Sequence, residues 1–141
     1  GIGSRISKLT KNPKCLLRIK NKTLLELNIK KLIKFGVKNF IIVMGFKKKI
    51  IINHIKALSK EKKINIKYID NKSYISKGNS HSLFLGLKSI KVGPCIFLDG
   101  DIILHSNILK KFIVFSKKSS ISIPFSRASN FAPSMVDKHI I

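Results

Sequence analysis

Acidic residues are scarce in this sequence: its 141 residues include 6 Asp or Glu against 29 Lys or Arg, which gives a formal net charge of +23. Tryptophan is absent, and Cys15 and Cys95 are the only cysteines. Two isolated cysteines are too few for a disulfide framework or a zinc site, so we expect structural thiols in a reducing, cytoplasmic compartment. No apolar run approaches the roughly 18 residues that a membrane-spanning helix requires, so we expect no membrane span.

The positive charge has two explanations. A basic face attracts a polyanion, which makes nucleic acid a partner to consider. However, only Arg5, Arg18 and Arg127 are arginine, and the lysines are interleaved with isoleucine over most of the chain, as an AT-rich coding sequence would also produce. The lysines do not cluster on one face, and the few aromatic residues fall mostly in predicted core runs. Both observations disfavour nucleic acid as the partner.

The apolar content is that of a folded protein. Apolar residues make up 44% of the chain and charged residues 25%, a balance typical of globular rather than disordered sequences. A chain of this length is sufficient for one hydrophobic core of moderate size. We therefore expect a single domain over residues 1–141.

Helical and strand patterns alternate from residue 23 to residue 125. Thr23 caps the first helix, Gly36 ends it, and Asn79 or Ser80 caps the third. The third helix carries Leu83, Leu87 and Ile90 on one face. Taken together, the patterns predict helices at residues 23–35, 47–58, 79–90 and 106–115, and strands at 37–44, 64–69, 95–98 and 120–125.

Two of these strands are short, continuous apolar runs, at residues 37–44 and 95–98, which is typical of strands covered on both faces. Strands that alternate with helices indicate βαβ units and a mainly parallel sheet with helices on both faces. We therefore predict an α/β fold of the Rossmann-like, three-layer α/β/α type. Ligands of such folds bind beyond the carboxyl ends of the strands, where the sequence places Asp99 and Asp101.

A glycine-containing loop opens the sequence as Gly1-Ile2-Gly3-Ser4-Arg5. Glycines let the backbone approach an anion closely, and the loop also carries the cations Arg5 and Lys14, so we predict that it binds phosphate. It matches neither of two common phosphate-binding motifs. A dinucleotide fingerprint requires a third glycine where Ile6 stands, and a P-loop requires Gly-Lys-Ser/Thr.

The longer pattern is more specific. Gly-x-Gly-Ser-Arg is followed by Leu9-Thr10 and then by Pro13-Lys14-x-Leu-Leu-x-Ile. This pattern resembles the signature of the nucleotidyltransferase superfamily, whose members join a nucleoside triphosphate to a sugar phosphate or to phosphocholine. The resemblance covers roughly residues 1–105 and includes Asn71, Tyr74 and the run Leu98-Asp99-Gly100-Asp101.

The resemblance implies a role for each matching residue. Arg5 would grip the triphosphate, and Lys14 would neutralise the phosphate under attack; these are the expected catalytic residues. Asp101 would hold Mg²⁺, the expected cofactor, with Asp99 as an alternative ligand. The nucleotide itself would be bound by Gly1, Gly3, Ser4, Gly78, Asn79 and Ser82.

These roles agree with the chemistry of the reaction. Phosphoryl-type transfer depends mainly on positioning and charge stabilisation, so it requires backbone donors, cations and a metal bound by oxygen atoms. Helix capping and tight turning explain the residue types at Gly78, Asn79 and Ser82 equally well, and Asp99 could simply support the turn at Gly100.

The match to the superfamily is incomplete at both ends. The family's first strand would precede Gly1, and its second metal-binding aspartate and acceptor-binding part would follow Ile141. We therefore expect a truncated nucleotidyltransferase domain. The whole protein would transfer a nucleoside monophosphate to a phosphorylated small molecule and release pyrophosphate. Asn71, Tyr74 and the run Gly78-Asn79-x-x-Ser82-Leu83 favour the phosphocholine or sugar-phosphate cytidylyltransferase branch. The alternatives are a basic nucleic-acid-binding module and a non-catalytic nucleotide-binding homologue.

Overall fold

The structure is a computed structural model that describes residues 11–90 and 95–116. Its contacts divide the chain into two compact units, Gly1–Ile103 and Leu104–Ile141. The predicted glycine loop, with Gly1, Gly3, Ser4 and Arg5, lies outside the described residues, as does the predicted strand at residues 120–125.

The first unit begins with a short irregular segment that leads into helix α1. A single 3-10 turn at Lys14–Leu16 precedes a two-residue antiparallel hairpin, in which β1 (Arg18–Ile19) pairs with β2 (Lys22–Thr23). Lys20 adopts a positive φ of 54° in the connecting turn. The sequence patterns did not predict this hairpin, because two-residue strands are too short to show a period.

Helix α1 spans Leu24–Lys34 and begins in a capping box. The Thr23 hydroxyl accepts a hydrogen bond from the Glu26 amide at 3.2 Å, and the Thr23 amide donates to the Glu26 carboxylate at 2.7 Å. These two bonds satisfy amides that a helix start would otherwise leave unpaired. Gly36 follows the helix with a φ of 86°. The predicted start and end of this helix are confirmed.

The next three elements form a βαβ unit. Strand β3 (Asn39–Met44) leads through helix α2 (Lys48–Lys62) to strand β4 (Asn65–Asp70), and the two strands pair in parallel over their whole length. The predicted parallel pairing is therefore confirmed for these strands. Helix α2 ends four residues beyond the predicted Leu58, because its polar last turn is made of residues that favour helix without contributing to an apolar stripe.

The core of the first unit lies between the helices and one face of the strand pair. Ile55 of α2 is fully buried. Met44 faces the same cluster, and Phe40, Ile42, Ile66 and Tyr68 pack against it from alternate positions on the two strands. The buried cluster consists of Ile29, Met44, Ile51, Ile55, Leu58 and Ile64.

The opposite face of β3 is covered less completely than the sequence predicts. Helix α3 (Asn79–Lys88) packs there, with Gly86 next to Val43, but Ile41 remains exposed. No residue of α3 is buried among the described residues, and Leu87 is 48% exposed, so the apolar face predicted for this helix is only partly covered. The cap prediction also needs correction, because Gly78 occupies the N-cap position in place of Asn79 or Ser80.

The predicted strand at residues 95–98 is not formed. Residues 95–99 are irregular and pair with no strand among the described residues, and Cys95 and Phe97 are exposed. A strand exists only when its backbone groups pair with a neighbour. An apolar run without a partner strand among the described residues stays irregular.

In the second unit, helix α4 spans Ser106–Ser116, one residue longer than predicted. The described part of the chain is therefore a mixed α/β structure with four helices and two small sheets. None of the helices described is both long and apolar enough to cross a membrane.

Candidate functional site

Two of the predicted site residues meet in the first unit. The Lys14 ammonium lies 3.6 Å from a carboxylate oxygen of Asp101, and both side chains are partly open to solvent. Lys14 begins the 3-10 turn, whereas Asp101 lies in a turn with Gly100. A cation and a carboxylate from distant parts of the sequence thus form one accessible, polar position.

Local hydrogen bonds hold the segment that carries Lys14. The amide of Leu16 donates to the carbonyl of Pro13 at 2.8 Å, and the amide of Leu17 donates to the carbonyl of Lys14 at 3.0 Å. Leu17 in turn accepts a bond from the amide of Leu24, the first residue of α1, at 2.9 Å. The position of Lys14 is therefore tied to the start of a buried helix.

Cys15 packs beneath the Asp101 turn. A Cβ atom built on Gly100 would lie 3.3 Å from the Cys15 Cβ, which is a tight contact. Burial raises the pKa of the Cys15 thiol to about 11; a backbone hydrogen bond partly opposes this effect, and the nearby Asp101 charge adds a smaller increase. A neutral thiol that packs against a turn fits the structural role expected for this cysteine.

A second polar group lies where β3 and β4 end, and it is centred on Asn71. This side chain is 1% exposed. Its amide nitrogen donates to the Ser82 hydroxyl at 2.9 Å, and its oxygen accepts from the Ser73 amide at 3.0 Å. Its backbone amide donates to the carbonyl of Met44 at 2.7 Å. Asn71 therefore connects the end of β3, the loop after β4 and helix α3.

Gly45 and Tyr74 complete this group. A Cβ atom on Gly45 would collide with the Tyr74 ring, so the ring can occupy its position only next to a glycine. The Tyr74 amide donates to the Asn71 carbonyl at 3.3 Å. Tyr74 thus covers the chain at the end of β3.

The predicted base-pocket residues have different environments. Gly78 and Asn79 are exposed at the start of α3, where Gly78 serves as the N-cap. Ser82 is partly buried and bonded to Asn71. Whether these three residues contact a nucleotide stays a prediction.

Lysines extend the positive charge around these groups. The Lys47 ammonium donates to the carbonyl of Lys11 at 2.7 Å, and this bond links the segment before Lys14 to the chain just after β3. Lys48 forms an ion pair with Asp70, the last residue of β4. The sequence analysis did not single out Lys47, Lys48 or Asp70, because lysine is too common in this chain for any one to stand out.

Two further contacts were missed. The buried Asn28 side chain donates to the carbonyl of Ile102 at 2.7 Å. The His54 Nε2 lies 3.0 Å from the Thr23 hydroxyl and 3.6 Å from the Glu26 carboxylate, so α2 contacts the capping box of α1. The one available signal was that Asn28 and His54 each stand directly before a buried isoleucine, in helices with an otherwise apolar inner face.

Comparison with known proteins identifies a family for the chain. A family described as a domain of unknown function, DUF6564, matches residues 11–131. The chain belongs to the DUF6564 family. The match includes Lys14, Asn28, Asn71 and Asp101, whereas the glycine loop at Gly1 to Arg5 precedes it.

A curated relative of this DUF6564 chain comes from Aquifex aeolicus (strain VF5). It is named bifunctional IPC transferase and DIPP synthase and is 35% identical over 114 residues, which are 80% of this chain. The chain spans only 26% of the length of that relative. No solved structure matches the chain.

The described residues of the DUF6564 chain restrict how a metal could be held. No group of three or more His, Cys, Asp or Glu side chains that could hold a metal ion occurs within residues 11–90 and 95–116. Mg²⁺ keeps several waters and takes only one or two protein carboxylates when phosphate oxygens supply the rest. The Asp99 and Asp101 carboxylates, both exposed, are suited to a Mg²⁺ ion whose remaining ligands are water and phosphate oxygens.

Proposed function

We propose that this chain is the nucleotide-binding part of a nucleotidyltransferase, which transfers a nucleoside monophosphate from a nucleoside triphosphate to a phosphorylated small molecule and releases pyrophosphate. The observation that carries the proposal is the 3.6 Å approach of Lys14 to Asp101. The relative from Aquifex aeolicus supports it, since its name describes a transferase and a synthase.

Lys14 and Asp101 offer the two kinds of charge that such a transfer requires. The Lys14 ammonium would stabilise the negative charge that develops on the α-phosphate while an oxygen of the acceptor's own phosphate attacks in line. The bond from the α-phosphorus to the bridging oxygen breaks, and pyrophosphate leaves with that electron pair. No protein nucleophile takes part.

Asp101, with Asp99 beside it, would hold Mg²⁺. When bound, the ion would neutralise phosphate charge and orient the triphosphate. In the ligand-free arrangement the Lys14 ammonium already balances the Asp101 carboxylate. Binding of a triphosphate with its cation would let Lys14 exchange that carboxylate for phosphate oxygens. Before the triphosphate binds, the ion pair leaves neither the Lys14 charge nor the Asp101 charge unbalanced.

The remaining parts of the site belong to the same proposal. Gly1, Gly3, Ser4 and Arg5 would contact the triphosphate, and Gly78, Asn79 and Ser82 would contact the base. The fold would be a single three-layer, Rossmann-like domain, whose helices on both faces of the β3–β4 pair are its described part. Asn71 and Tyr74 favour CTP as the donor, and the two separate thiols suit a cytoplasmic enzyme.

The test measures binding and turnover of the full-length protein. Titration calorimetry with CTP, ATP, UTP, GTP and dTTP in the presence of Mg²⁺ should identify one preferred nucleotide, and sugar phosphates or phosphocholine should then stimulate pyrophosphate release. Asp101→Ala should abolish release, and Lys14→Met should reduce it by about 100-fold or more. Lys67→Met, which removes an exposed lysine from β4, is the matched control and should retain activity. Failure to bind any of the five nucleotides would contradict the proposal.

The net charge of +23 supports a second candidate, a nucleic-acid-binding module. Phe84 and Phe97 are exposed and available for base stacking. This candidate predicts binding of oligonucleotides that weakens steeply with salt and needs no Mg²⁺. A weak salt dependence, combined with nucleotide binding that requires Mg²⁺, would favour the enzyme.

A non-catalytic homologue that binds nucleotide for regulation would behave differently again. It would bind nucleotide without releasing pyrophosphate for any acceptor. In that case neither the wild-type protein nor Asp101→Ala would release pyrophosphate.

A further inference from the structure

The turn that carries Asp101 is held in an unusual way. Residues 95–103 form no strand, so no sheet ladder fixes their backbone among the described residues. In a parallel sheet, ladder hydrogen bonds would place a strand-end aspartate to within a fraction of an ångström. Here side chains from other segments must provide that constraint.

Two contacts bracket Asp101 from within the first unit. On one side, Cys15 packs against Gly100. On the other side, the Asn28 side chain donates a 2.7 Å hydrogen bond to the carbonyl of Ile102. Asn28 comes from the middle of α1 and is only 5% exposed, so its position is fixed by the helix and the core around it.

The Asn28 side chain is poorly explained as a packing residue. Its amide oxygen is buried and has no hydrogen-bond partner among the described residues. A buried, unpaired carbonyl is unfavourable, and an apolar side chain of similar size, such as leucine, would avoid it. Among the described residues, the contribution that asparagine makes here and leucine cannot is the donated bond to Ile102.

We propose that Asn28 is a positioning residue for the Asp101 carboxylate. It anchors the backbone one residue after Asp101, while Cys15 limits movement one residue before it. Through that anchor, Asn28 keeps the carboxylate beside Lys14 and in place to bind a divalent cation. The cation-binding part of this inference rests on the proposed function. Removing a group that orients a metal ligand typically lowers metal affinity or activity by about 10- to 100-fold.

The first arm of the test requires no activity. Asn28→Leu removes the donor and the unpaired oxygen together, so the protein should remain folded. In a Cys95→Ser background, Asn28→Leu should speed modification of the Cys15 thiol by a disulfide reagent such as DTNB by several-fold, because Cys15 packs against Gly100 in the turn that Asn28 anchors. Asn65→Leu is the matched control, since the hydrogen bond described for its side-chain amide goes to Asn39 at the exposed starts of the two strands. An unchanged rate of Cys15 modification in Asn28→Leu would overturn the anchor.

The second arm measures binding of Mn²⁺ as a probe for the cation, by electron paramagnetic resonance in the presence of the preferred nucleotide. Asn28→Leu should weaken Mn²⁺ binding by about 10-fold, whereas Asn65→Leu should not change it. In an Asp101→Asn background, Asn28→Leu should have no further effect, because a residue that acts through Asp101 cannot act without it. A full and independent loss in that background would overturn the positioning role.

The two arms separate this inference from the proposed function. If the wild-type protein binds neither nucleotide nor Mn²⁺, the proposed function fails and the positioning role for a cation fails with it, while the rate of Cys15 modification still decides whether Asn28 anchors the turn. If wild-type binding is normal and Asn28→Leu leaves the Mn²⁺ affinity unchanged, only the positioning role fails. Asn28→Ala provides a second variant with less bulk, and it should change Cys15 modification and Mn²⁺ binding in the same direction as Asn28→Leu.

Discussion

Two stretches of similar apolar sequence in the first unit have different structures. Strand β3 (Asn39–Met44) pairs with β4 along its whole length, and Met44 reaches the buried core. Residues 95–98 are comparably apolar, yet they form no strand, and Phe97 is 51% exposed. An apolar run therefore encodes a tendency to be buried, but whether it becomes a strand depends on a partner elsewhere in the chain.

The two stretches also differ in what they contribute to the protein, since one belongs to the buried core and the other to the candidate site. The β3–β4 region, which comprises residues 23–70, contains the buried apolar side chains of the described part of the first unit. The Asp101 segment, residues 95–103, carries the carboxylates of the candidate site and is held by contacts from Lys14, Cys15 and Asn28. Segments that bind ligands are commonly drawn from the less stable parts of a protein. The predictions below test that division.

The largest contrast is expected between two isoleucines. Ile55 is fully buried in the β3–β4 region, whereas Ile103 is 52% exposed in the Asp101 segment. Ile55→Ala should lower the free energy of unfolding by about 3–4 kcal/mol, because it leaves a cavity in a packed core, and Ile103→Ala should lower it by less than about 1 kcal/mol. Urea denaturation measures both values. Equal losses would show that the two regions are packed equally well.

Two glycines make a finer comparison. A methyl group on Gly45 would collide with the Tyr74 ring, and a methyl group on Gly100 would press on Cys15. β3 and the Asn71 hydrogen bonds hold the chain around Gly45, so Gly45→Ala should destabilise the protein by about 2 kcal/mol. The Asp101 segment buries little apolar surface, so displacing its turn costs little stability and Gly100→Ala should lower the free energy of unfolding by less than about 1 kcal/mol. A loss at Gly100 as large as the loss at Gly45 would mean that the fold depends on the Asp101 segment as strongly as on β3.

How far the sequence predicts this molecule follows from the range of each interaction. Helix α1 was predictable because its cap, its apolar stripe and Gly36 are local signals, and β3 and β4 were predictable because a helix of suitable length separates them. Residues 95–98 were not, since strand pairing depends on residues far away. The exposure of Leu87 on α3 was not predictable either. Helical periodicity locates an apolar face, but it cannot say whether another element covers that face.

The residues of the candidate site also differ in how far the sequence alone reveals them. Lys14 and Asp101 were singled out by their resemblance to a known pattern, and the structure brings their side chains together, while their chemical roles remain predictions. Asn28 was missed because its partner is a backbone carbonyl, which no sequence pattern marks. Asn71 was noted only as part of the resemblance, and its buried network depends on folding that brings the ends of β3 and β4 together.

Two carboxylates extend the comparison to electrostatics. Burial by itself raises the pKa of Glu26, but the Thr23 hydrogen bonds and the nearby His54 and Lys30 charges more than offset it and hold the pKa below its ordinary value of 4.5. A depressed pKa in the folded state stabilises the protein above the unfolded value, and this contribution is lost as the pH falls below about 4.5. Glu26→Gln should therefore flatten the decline of stability with acid, measured by urea denaturation between about pH 6 and pH 3.

The control for Glu26 is Asp101→Asn. The Lys14–Asp101 pair is open to solvent, and exposed ion pairs contribute about 0–1 kcal/mol. The acid profile of Asp101→Asn should therefore stay close to that of the wild-type protein. A similar flattening in both variants would show that the Asp101 segment stabilises the fold as strongly as the capping box of α1 does.

The smallest expected effect is a difference in reactivity between the two cysteine thiols. The reactivity of Cys15 reports directly on the Asp101 segment. Because the pKa of Cys15 is raised to about 11, only about one thousandth of that thiol is ionised at pH 8, and it is also partly covered, whereas Cys95 is exposed. A disulfide reagent such as DTNB should therefore modify Cys95 rapidly and Cys15 slowly in the folded protein. Cys95→Ser should leave only the slow phase, and Cys15→Ser only the fast one.

The slow phase can then be used to detect opening of the segment. Cys15 lies against Gly100, so any loosening of residues 95–103 exposes it. In a Cys95→Ser background, Asn28→Leu should accelerate modification of Cys15 by several-fold, while Asp101→Asn should change it less, because burial outweighs the Asp101 charge in raising this pKa. If Asp101→Asn accelerated the reaction more than Asn28→Leu, the carboxylate itself, and not the hydrogen bond from α1, would be what keeps the segment closed over Cys15.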